Sequence, residues 1–572
     1  MLLPALYNIA EICAKKGVRH VVISAGSRSA PLTIAFARHP DITTKVVPDE
    51  RSAAFIAMGM AQSLRQTVAL VCTSGSASLN YAPAIAEAYF QEIPLLIFTA
   101  DRPPEWVDQQ DGQTIRQQNV YGKHVKASFE LPVDYSHPDA LWHVNRIINE
   151  AINLTQHEQH QPVHVNIPIR EPFYPEQGEE IVFDKDVRVI EQIRTIKTPA
   201  QIDWQHLMEI EEKCEKQLIV VGQTPMNQVL LHTLPQIERK GIFRIPIVAD
   251  LIGNAYPFGK TISHHDLILM KNDEKLKKAL QPDLLITIGK SILSKALKQF
   301  LRSYPPRYHW HIQEYGQVPD TYKHLTHILP ISPEKGLEYY LSYTRKKIQK
   351  DDYFALWLEE EKKAEKFLKK FFDKEHTFNE FWAVSEVMKQ LPEKSILHLA
   401  NSMPVRYANY LSLKPEKNIE VFCNRGTSGI DGCNSTALGS ALVTNQLVTL
   451  ITGDMAFFYD RNAFWHNQLP SNLRIIVVNN FGGGIFRLLP DSGKLPELEK
   501  YFETEQHYSA KLLAKEYKMD YLLATDSQSL EQSLQDFFAP SKKPKILEIE
   551  TKNHNNYDFF QHFKQSWLDK ER

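Results

Sequence analysis

The chain of 572 residues has only five cysteines, at positions 13, 72, 214, 423 and 433, and no two form a Cys-x-x-Cys pair. That scatter argues against a disulfide framework and against a cysteine zinc site. Net charge is also lacking. Sixty-six Lys and Arg stand against 68 Asp and Glu, a formal charge of −2, so no global basic field awaits nucleic acid. No apolar run reaches membrane-spanning length. The opening Met1-Leu2-Leu3-Pro4-Ala5-Leu6-Tyr7-Asn8 has neither the basic flank nor the long apolar core of a signal peptide. These absences lead us to expect a soluble cytoplasmic enzyme with no membrane span and no nucleic-acid partner. Histidine spacing offers no metal site either. His157-Glu158-Gln159-His160 sets its histidines three apart, not four as in the zinc-protease pattern, and reads as polar loop. His309-Trp310-His311 puts both imidazoles on one strand face, which points to sheet packing. Cys423 and Cys433 read as buried small residues rather than nucleophiles.

What is present is ordinary globular composition, 43% hydrophobic and 23% charged, at a length that implies several domains. Short apolar runs alternate with helical patterns throughout, the signature of doubly wound parallel α/β sheets. Strands are expected at 18–24, 44–47, 68–73, 94–99 and 163–167, with a helix of small residues from 51 to about 64. A second set falls at 217–221, 245–249, 284–288 and 308–313. A third falls at 395–399, 419–422, 447–452, 473–478 and 545–550. Three α/β domains are therefore expected, at 1–180, 181–343 and 378–572. The charged stretch 344–377 reads as a solvated helical linker. The similar outer units suggest duplication of one architecture.

Two strand ends carry the chemistry. Gly453-Asp454-Met455 follows one apolar run, and Asn479-Asn480-Phe481-Gly482 follows the next, with Asp454 and Asn480 26 positions apart. That interval holds a helix and its loops between neighbouring parallel strands. Ligands of open α/β sheets bind beyond the carboxyl ends of strands. A carboxylate, an amide oxygen and a glycine backbone converging there are hard donors for Mg²⁺ that still binds phosphate and water. Singly, each half reads as a helix cap or an Asn-Gly turn. Together they resemble the diphosphate-anchoring motif of thiamine-diphosphate enzymes. Asp49-Glu50-Arg51 opens the small-residue helix. Acids at a helix N-terminus are common stabilisers. In thiamine enzymes, though, a glutamate in this place bonds the aminopyrimidine ring and shares its proton.

Four longer motifs narrow the resemblance. They are Ser24-Ala25-Gly26-Ser27-Arg28-Ser29-Ala30-Pro31-Leu32, Thr99-Ala100-Asp101-Arg102-Pro103-Pro104-Glu105, Asn424-Arg425-Gly426-Thr427-Ser428-Gly429-Ile430-Asp431-Gly432 and Gly482-Gly483-Gly484-Ile485-Phe486-Arg487-Leu488-Leu489-Pro490. In this order they resemble the 2-succinyl-5-enolpyruvyl-6-hydroxy-3-cyclohexene-1-carboxylate synthase family, thiamine-diphosphate enzymes of menaquinone biosynthesis. The resemblance implies decarboxylation of 2-oxoglutarate and addition of its succinyl unit to isochorismate. It implies thiamine diphosphate and Mg²⁺ or Mn²⁺ as cofactors. It also implies a homodimer, or a dimer of dimers, with active sites between subunits.

The roles it implies are specific. Asp454, Asn480 and the Gly482 carbonyl hold the metal. Glu50, Ser428, Gly429, Ile430, Met455, Gly484 and Ile485 meet the cofactor, with Ile430 wedged between its rings. Ser27, Arg28, Arg102, Gln113, Lys295, Ser402, Arg406, Arg425, Ile485, Phe486 and Leu489 line the substrate pocket. Glu50, Arg28, Ser402, Arg406 and Arg425 act in catalysis. Arginine suits the four carboxylates of the two substrates, whereas a lone surface arginine pair would be worth little. Two features depart from the family pattern. Gly112 stands where an asparagine commonly precedes Gln113, and Gln110 or Gln117 could replace that amide. Lys290 competes with Lys295 as the pocket lysine. The alternatives are another thiamine carboligase or decarboxylase of the acetolactate-synthase kind, or a non-catalytic protein that keeps the cofactor fold.

Overall fold

Three parallel sheets, all covered by helices, make up the computed structural model, which describes residues 4–176, 179–227, 230–233, 245–343, 352–489 and 491–569. The first sheet contains β1 (His20–Ile23), β2 (Thr43–Val46), β3 (Val68–Cys72), β4 (Leu95–Asp101), β5 (Ala127–Glu130) and β6 (Val163–Pro168). Its order is β2-β1-β3-β4-β6-β5. The central sheet contains β7 (Gln217–Val221), β8 (Ile247–Ala249), β9 (Leu284–Ile288), β10 (Tyr308–Ile312) and β11 (His327–Leu329), in the order β11-β10-β9-β7-β8. The last contains β12 (Ile396–Leu399), β13 (Glu420–Phe422), β14 (Val448–Gly453), β15 (Leu473–Asn479), β16 (Asp520–Ala524) and β17 (Lys545–Glu550). Its order, β13-β12-β14-β15-β17-β16, repeats that of the first sheet strand for strand. β3, β7, β9 and β15 are buried along their whole length, as parallel strands covered on both faces must be.

Three strands had no counterpart among the expected ones: β5, β11 and β16. Each is one of the two edge strands of its sheet, with partly exposed side chains. His309 and His311 do serve sheet packing, since both imidazoles share the Thr287 hydroxyl, at 2.9 and 2.7 Å.

The outer units are joined through two helices. Helix Glu50–Leu64 crosses helix Cys433–Ala441. One apolar cluster runs through the contact, from Phe55, Ile56 and Met60 to Ala437, Leu438 and Phe457. The charged stretch is helical over Asp352–Lys374, while 344–351 lie outside the described residues, as does Pro490. The helix is not simply solvated, as its charge density had suggested. Phe354, Trp357, Ala364, Phe367, Leu368 and Phe371 form a buried stripe at helical spacing. Phe367 lies 5.0 Å from Trp567 and Phe371 lies 5.2 Å from Phe563, centroid to centroid. Two of its acids are buried and paired: Glu360 with Lys271, and Glu361 with His264. No described helix is long and apolar enough to cross a membrane.

Candidate active site

In the third sheet β12 has β13 on one side and β14 on the other, so the chain leaves β12 in opposite directions and opens a crevice at the carboxyl ends. Four adjacent strands deliver residues there: Asn401 and Ser402 after β12, Arg425 after β13, Asp454 after β14 and Asn480 after β15. They line one cavity of about 540 Å³. Its wall also contains Ser428, Ile430, Met455, Gly482, Gly484, Ile485, Phe486 and Leu489. Gly429 adjoins the wall, and its carbonyl accepts from the Asn401 amide at 2.6 Å.

The donor chemistry at one end fits a divalent ion. Asp454 is 2% exposed, and its Oδ2 is buried with no hydrogen-bond partner. Burial pushes this carboxyl up to about 7; the Met455 N–H pulls it down and the charge of Glu380 pushes it up. Asn480 Oδ1 accepts from Gly482 N at 3.1 Å. The Gly482 carbonyl accepts from Gly484 N at 3.1 Å and keeps a second lone pair. Close approach explains these glycines: a Cβ on Gly482 would stand 2.7 Å from the Glu503 carbonyl, and one on Gly484 would stand 2.6 Å from Asn553 Oδ1. A bare buried carboxylate oxygen beside amide and carbonyl oxygens is what a hard cation of the Mg²⁺ class requires. Glu380, which sequence reasoning missed, also lines this end. Its carboxylate accepts from Asn480 Nδ2 and from the Tyr407 hydroxyl, and burial pushes it up to about 7.

The other end is cationic and apolar. Arg406 sits on helix Met403–Leu411, one turn past Ser402, and its Nη1 donates to the Ser402 carbonyl. Arg425 Nη1 donates to Asn401 Oδ1 at 3.1 Å, and its Nε is buried and unpartnered. Burial first, then the neighbouring Arg425 charge, holds Arg406 below its usual pKa. Among the described residues neither arginine forms an ion pair. Two half-buried guanidiniums side by side without a carboxylate make a receptor for anions. Ile430 packs against Ala400, Cys433 and Ala456 and projects into the same cavity. Ser428 has φ +66°, which turns the chain towards it.

None of the first unit's candidate residues lines this cavity. Ser27 is exposed. Arg28 is buried, donates to the Ile169 carbonyl at 2.7 Å and stacks 4.5 Å over the Phe173 ring. Arg102 donates Nε and Nη2 to the Gly112 carbonyl, at 3.1 and 2.7 Å, and pairs with Asp111. Gln113 is exposed and lies over Gly75. Since β1, β3 and β4 are neighbours, these residues gather at the carboxyl edge of their own sheet. Space beside Gly112 is open. Gln117 cannot supply the absent amide, because it is buried and bonded to Gly75 N, the Ala100 carbonyl and Asn166; Gln110 is exposed. Glu50 opens its helix after Asp49, which caps Ser52 N and accepts from Asn462 Nδ2 at 2.7 Å.

The central unit's lysines are also apart from the cavity. Lys295 is exposed, in the first turn of a helix capped by Ser294. Lys290 pairs with Glu92 at 2.8 Å. Lys298, one turn past Lys295 on the same helix, has its pKa lowered by burial first and by the Arg425 charge next.

Comparison with known proteins adds the following. The family model described as "Thiamine pyrophosphate enzyme, N-terminal TPP binding domain" matches residues 7–120, and "Middle domain of thiamine pyrophosphate" matches 188–399. A Cytophaga hutchinsonii protein is 46% identical over 98% of both chains. Proteins from Christiangramia forsetii and Flavobacterium johnsoniae are 37% and 38% identical over 96% of both chains. All three relatives carry the name 2-succinyl-5-enolpyruvyl-6-hydroxy-3-cyclohexene-1-carboxylate synthase.

Proposed function

The chain belongs to the 2-succinyl-5-enolpyruvyl-6-hydroxy-3-cyclohexene-1-carboxylate synthase family, and from that membership we propose how its residues carry out the reaction. The enzyme decarboxylates 2-oxoglutarate and joins the succinyl unit to isochorismate in menaquinone biosynthesis. Thiamine diphosphate supplies the nucleophilic carbon and the electron sink. Every other part of the task falls to the chain.

Asp454, Asn480 and the Gly482 carbonyl would hold Mg²⁺ or Mn²⁺ and, through it, the diphosphate. Ser428, Gly429, Met455, Gly484 and Ile485 would enclose the cofactor. Ile430 would press between its rings and keep them bent. Glu50 would share a proton with the aminopyrimidine. Ser402, Arg406 and Arg425 would take substrate carboxylates, and Ile485, Phe486 and Leu489 would shield the reacting centre from water. Holding both acids in place turns carbon–carbon bond formation into a reaction between fixed neighbours, a large source of acceleration.

The observation that carries this reading is the cavity itself. One end has a bare carboxylate oxygen and the other has two arginines without counter-ions. The same cavity supports a homodimer, alone or paired into a tetramer. It holds no residue of the first unit, so Ser27, Arg28, Glu50, Arg102 and Gln113 would come from a second copy. A cytoplasmic location belongs to the same proposal. Lys295 would need to move to reach substrate.

Purified protein with thiamine diphosphate, Mg²⁺ and both acids should release CO₂ and form the succinyl-cyclohexene product. Decarboxylation of 2-oxoglutarate without consumption of isochorismate would refute the reading.

A further inference from the structure

We propose that Glu380 is a positioning residue for the divalent ion: it orients the Asn480 side chain so that the amide oxygen, not the nitrogen, faces the metal. This inference rests on the function proposed above.

An asparagine amide is nearly symmetric in shape, and its two ends differ only in hydrogen bonding. Turned by a half rotation, Asn480 would offer the ion an NH₂ group and lose a ligand. Gly482 N donates to Oδ1 at 3.1 Å and opposes the turn from one side. Glu380 opposes it from the other. Glu380 is 3% exposed and lines the cavity. One of its oxygens accepts from Asn480 Nδ2, and the other accepts from the Tyr407 hydroxyl at 3.0 Å. In its ionised form the carboxylate can only accept. The flipped amide would then set oxygen against oxygen in a buried place, so the ionised carboxylate favours the orientation in which Asn480 Nδ2 donates.

The carboxylate is itself anchored. Glu380 is the first residue of helix Glu380–Gln390, capped by Asn379, which is fully buried. Its backbone N donates to Asn556 Oδ1 at 2.9 Å, and Asn556 Nδ2 donates to Thr551 Oγ1 at 2.9 Å. Tyr407, 2% exposed, stacks on Phe381 with centroids 4.9 Å apart. Glu380 and Tyr407 therefore both stand on helices. Groups behind a ligand that fix its orientation commonly govern metal affinity.

The test is Mn²⁺ binding in the presence of saturating thiamine diphosphate, followed by the spin-resonance signal of free Mn²⁺. Glu380→Gln can present either end of its amide to Asn480, so its share of the selection is lost. Its Mn²⁺ dissociation constant should rise about 10–100-fold. Turnover should return as Mn²⁺ is raised, because the defect lies in holding the ion. Tyr407→Phe leaves the Asn480 contact in place and frees one carboxylate oxygen, so a rise of a few fold is expected. Should Glu380→Gln fail to fold, Tyr407→Phe decides: an unchanged dissociation constant overturns the inference. A folded Glu380→Gln within twofold of the parent overturns it alone and leaves the proposed function intact. A parent that binds no Mn²⁺ with the cofactor overturns both.

Discussion

Gly59→Ala should loosen the joint between the outer units. Helices Glu50–Leu64 and Cys433–Ala441 cross with Gly59 against Thr436 and Gly439 against Ile56. A Cβ on Gly59 would stand 2.0 Å from the Thr436 carbonyl oxygen, and one on Gly439 would stand 2.0 Å from the Ile56 oxygen. Ordinary contact starts near 3.4 Å, so the helices must part by more than an ångström. The obstacle is backbone on both sides, so no side chain can swing away. Overpacking of this kind costs about 3 kcal/mol, the upper part of its usual range. Alanine in a helix interior returns about 1 kcal/mol over glycine. The net loss is about 2 kcal/mol, opposite in sign to what helix propensity alone would give. Urea midpoints of parent and variant, read by circular dichroism, measure it. Comparing midpoints avoids assuming one two-state transition in a protein of several units. The double variant with Gly439→Ala should lose less than the sum of the singles, because helices already parted have room for the second methyl. Turnover should fall as well. One helix begins at Glu50, and the other follows the loop of Arg425 and Ile430; a displacement of this size can cost about 100-fold in rate. A Gly59→Ala midpoint above the parent's would refute the reasoning.

Glu50→Gln should abolish turnover while thiamine diphosphate still binds, as read by near-ultraviolet circular dichroism; loss of binding to the same degree would show that the residue only holds the fold. Arg425→Lys keeps the charge but removes the guanidinium fork, so KM for the diacid should rise at least tenfold, about the worth of one charged hydrogen bond. His265→Gln should show a stability loss that depends on pH. Burial alone would depress this imidazole, yet the Asp250 and Asp266 carboxylates outweigh it and raise the pKa to about 9. A folded-state value above the unfolded one means that the contribution is complete below about 6.5 and fades as pH climbs through about 9. The gap in urea midpoint between parent and variant should therefore be wide at pH 6 and closed above pH 10, and a constant gap would exclude the ion pair as its source.

Much of this architecture could be read along the chain because its interior strands are buried on both faces. Leu284–Ile288 and Leu473–Asn479 show as mainly apolar runs, and their buried polar members, Thr287, Arg474 and Asn479, are all hydrogen-bonded. Strands β5, β11 and β16 escaped at sheet edges, where side chains are partly exposed, although β16 carries the apolar run Tyr521-Leu522-Leu523-Ala524. The linker misled in a similar way. Its lysines and glutamates dominated the composition, while the stripe from Phe354 to Phe371 carried the packing. The candidate site divides along the same line. Asp454 and Asn480 stand directly after strands, and Arg425 and Ser402 three residues beyond theirs; in a parallel sheet that position directs a residue towards the ligand crevice. Glu380 reaches the same point from a helix N-terminus 100 positions before Asn480, where an acid behind a capping asparagine looks like any helix start. No local pattern separates it from an ordinary cap. What singles it out is a contact between atoms: the Asn480 amide nitrogen donates to its carboxylate at the cavity wall. The motif accounts for the ligands, and the fold accounts for their orientation.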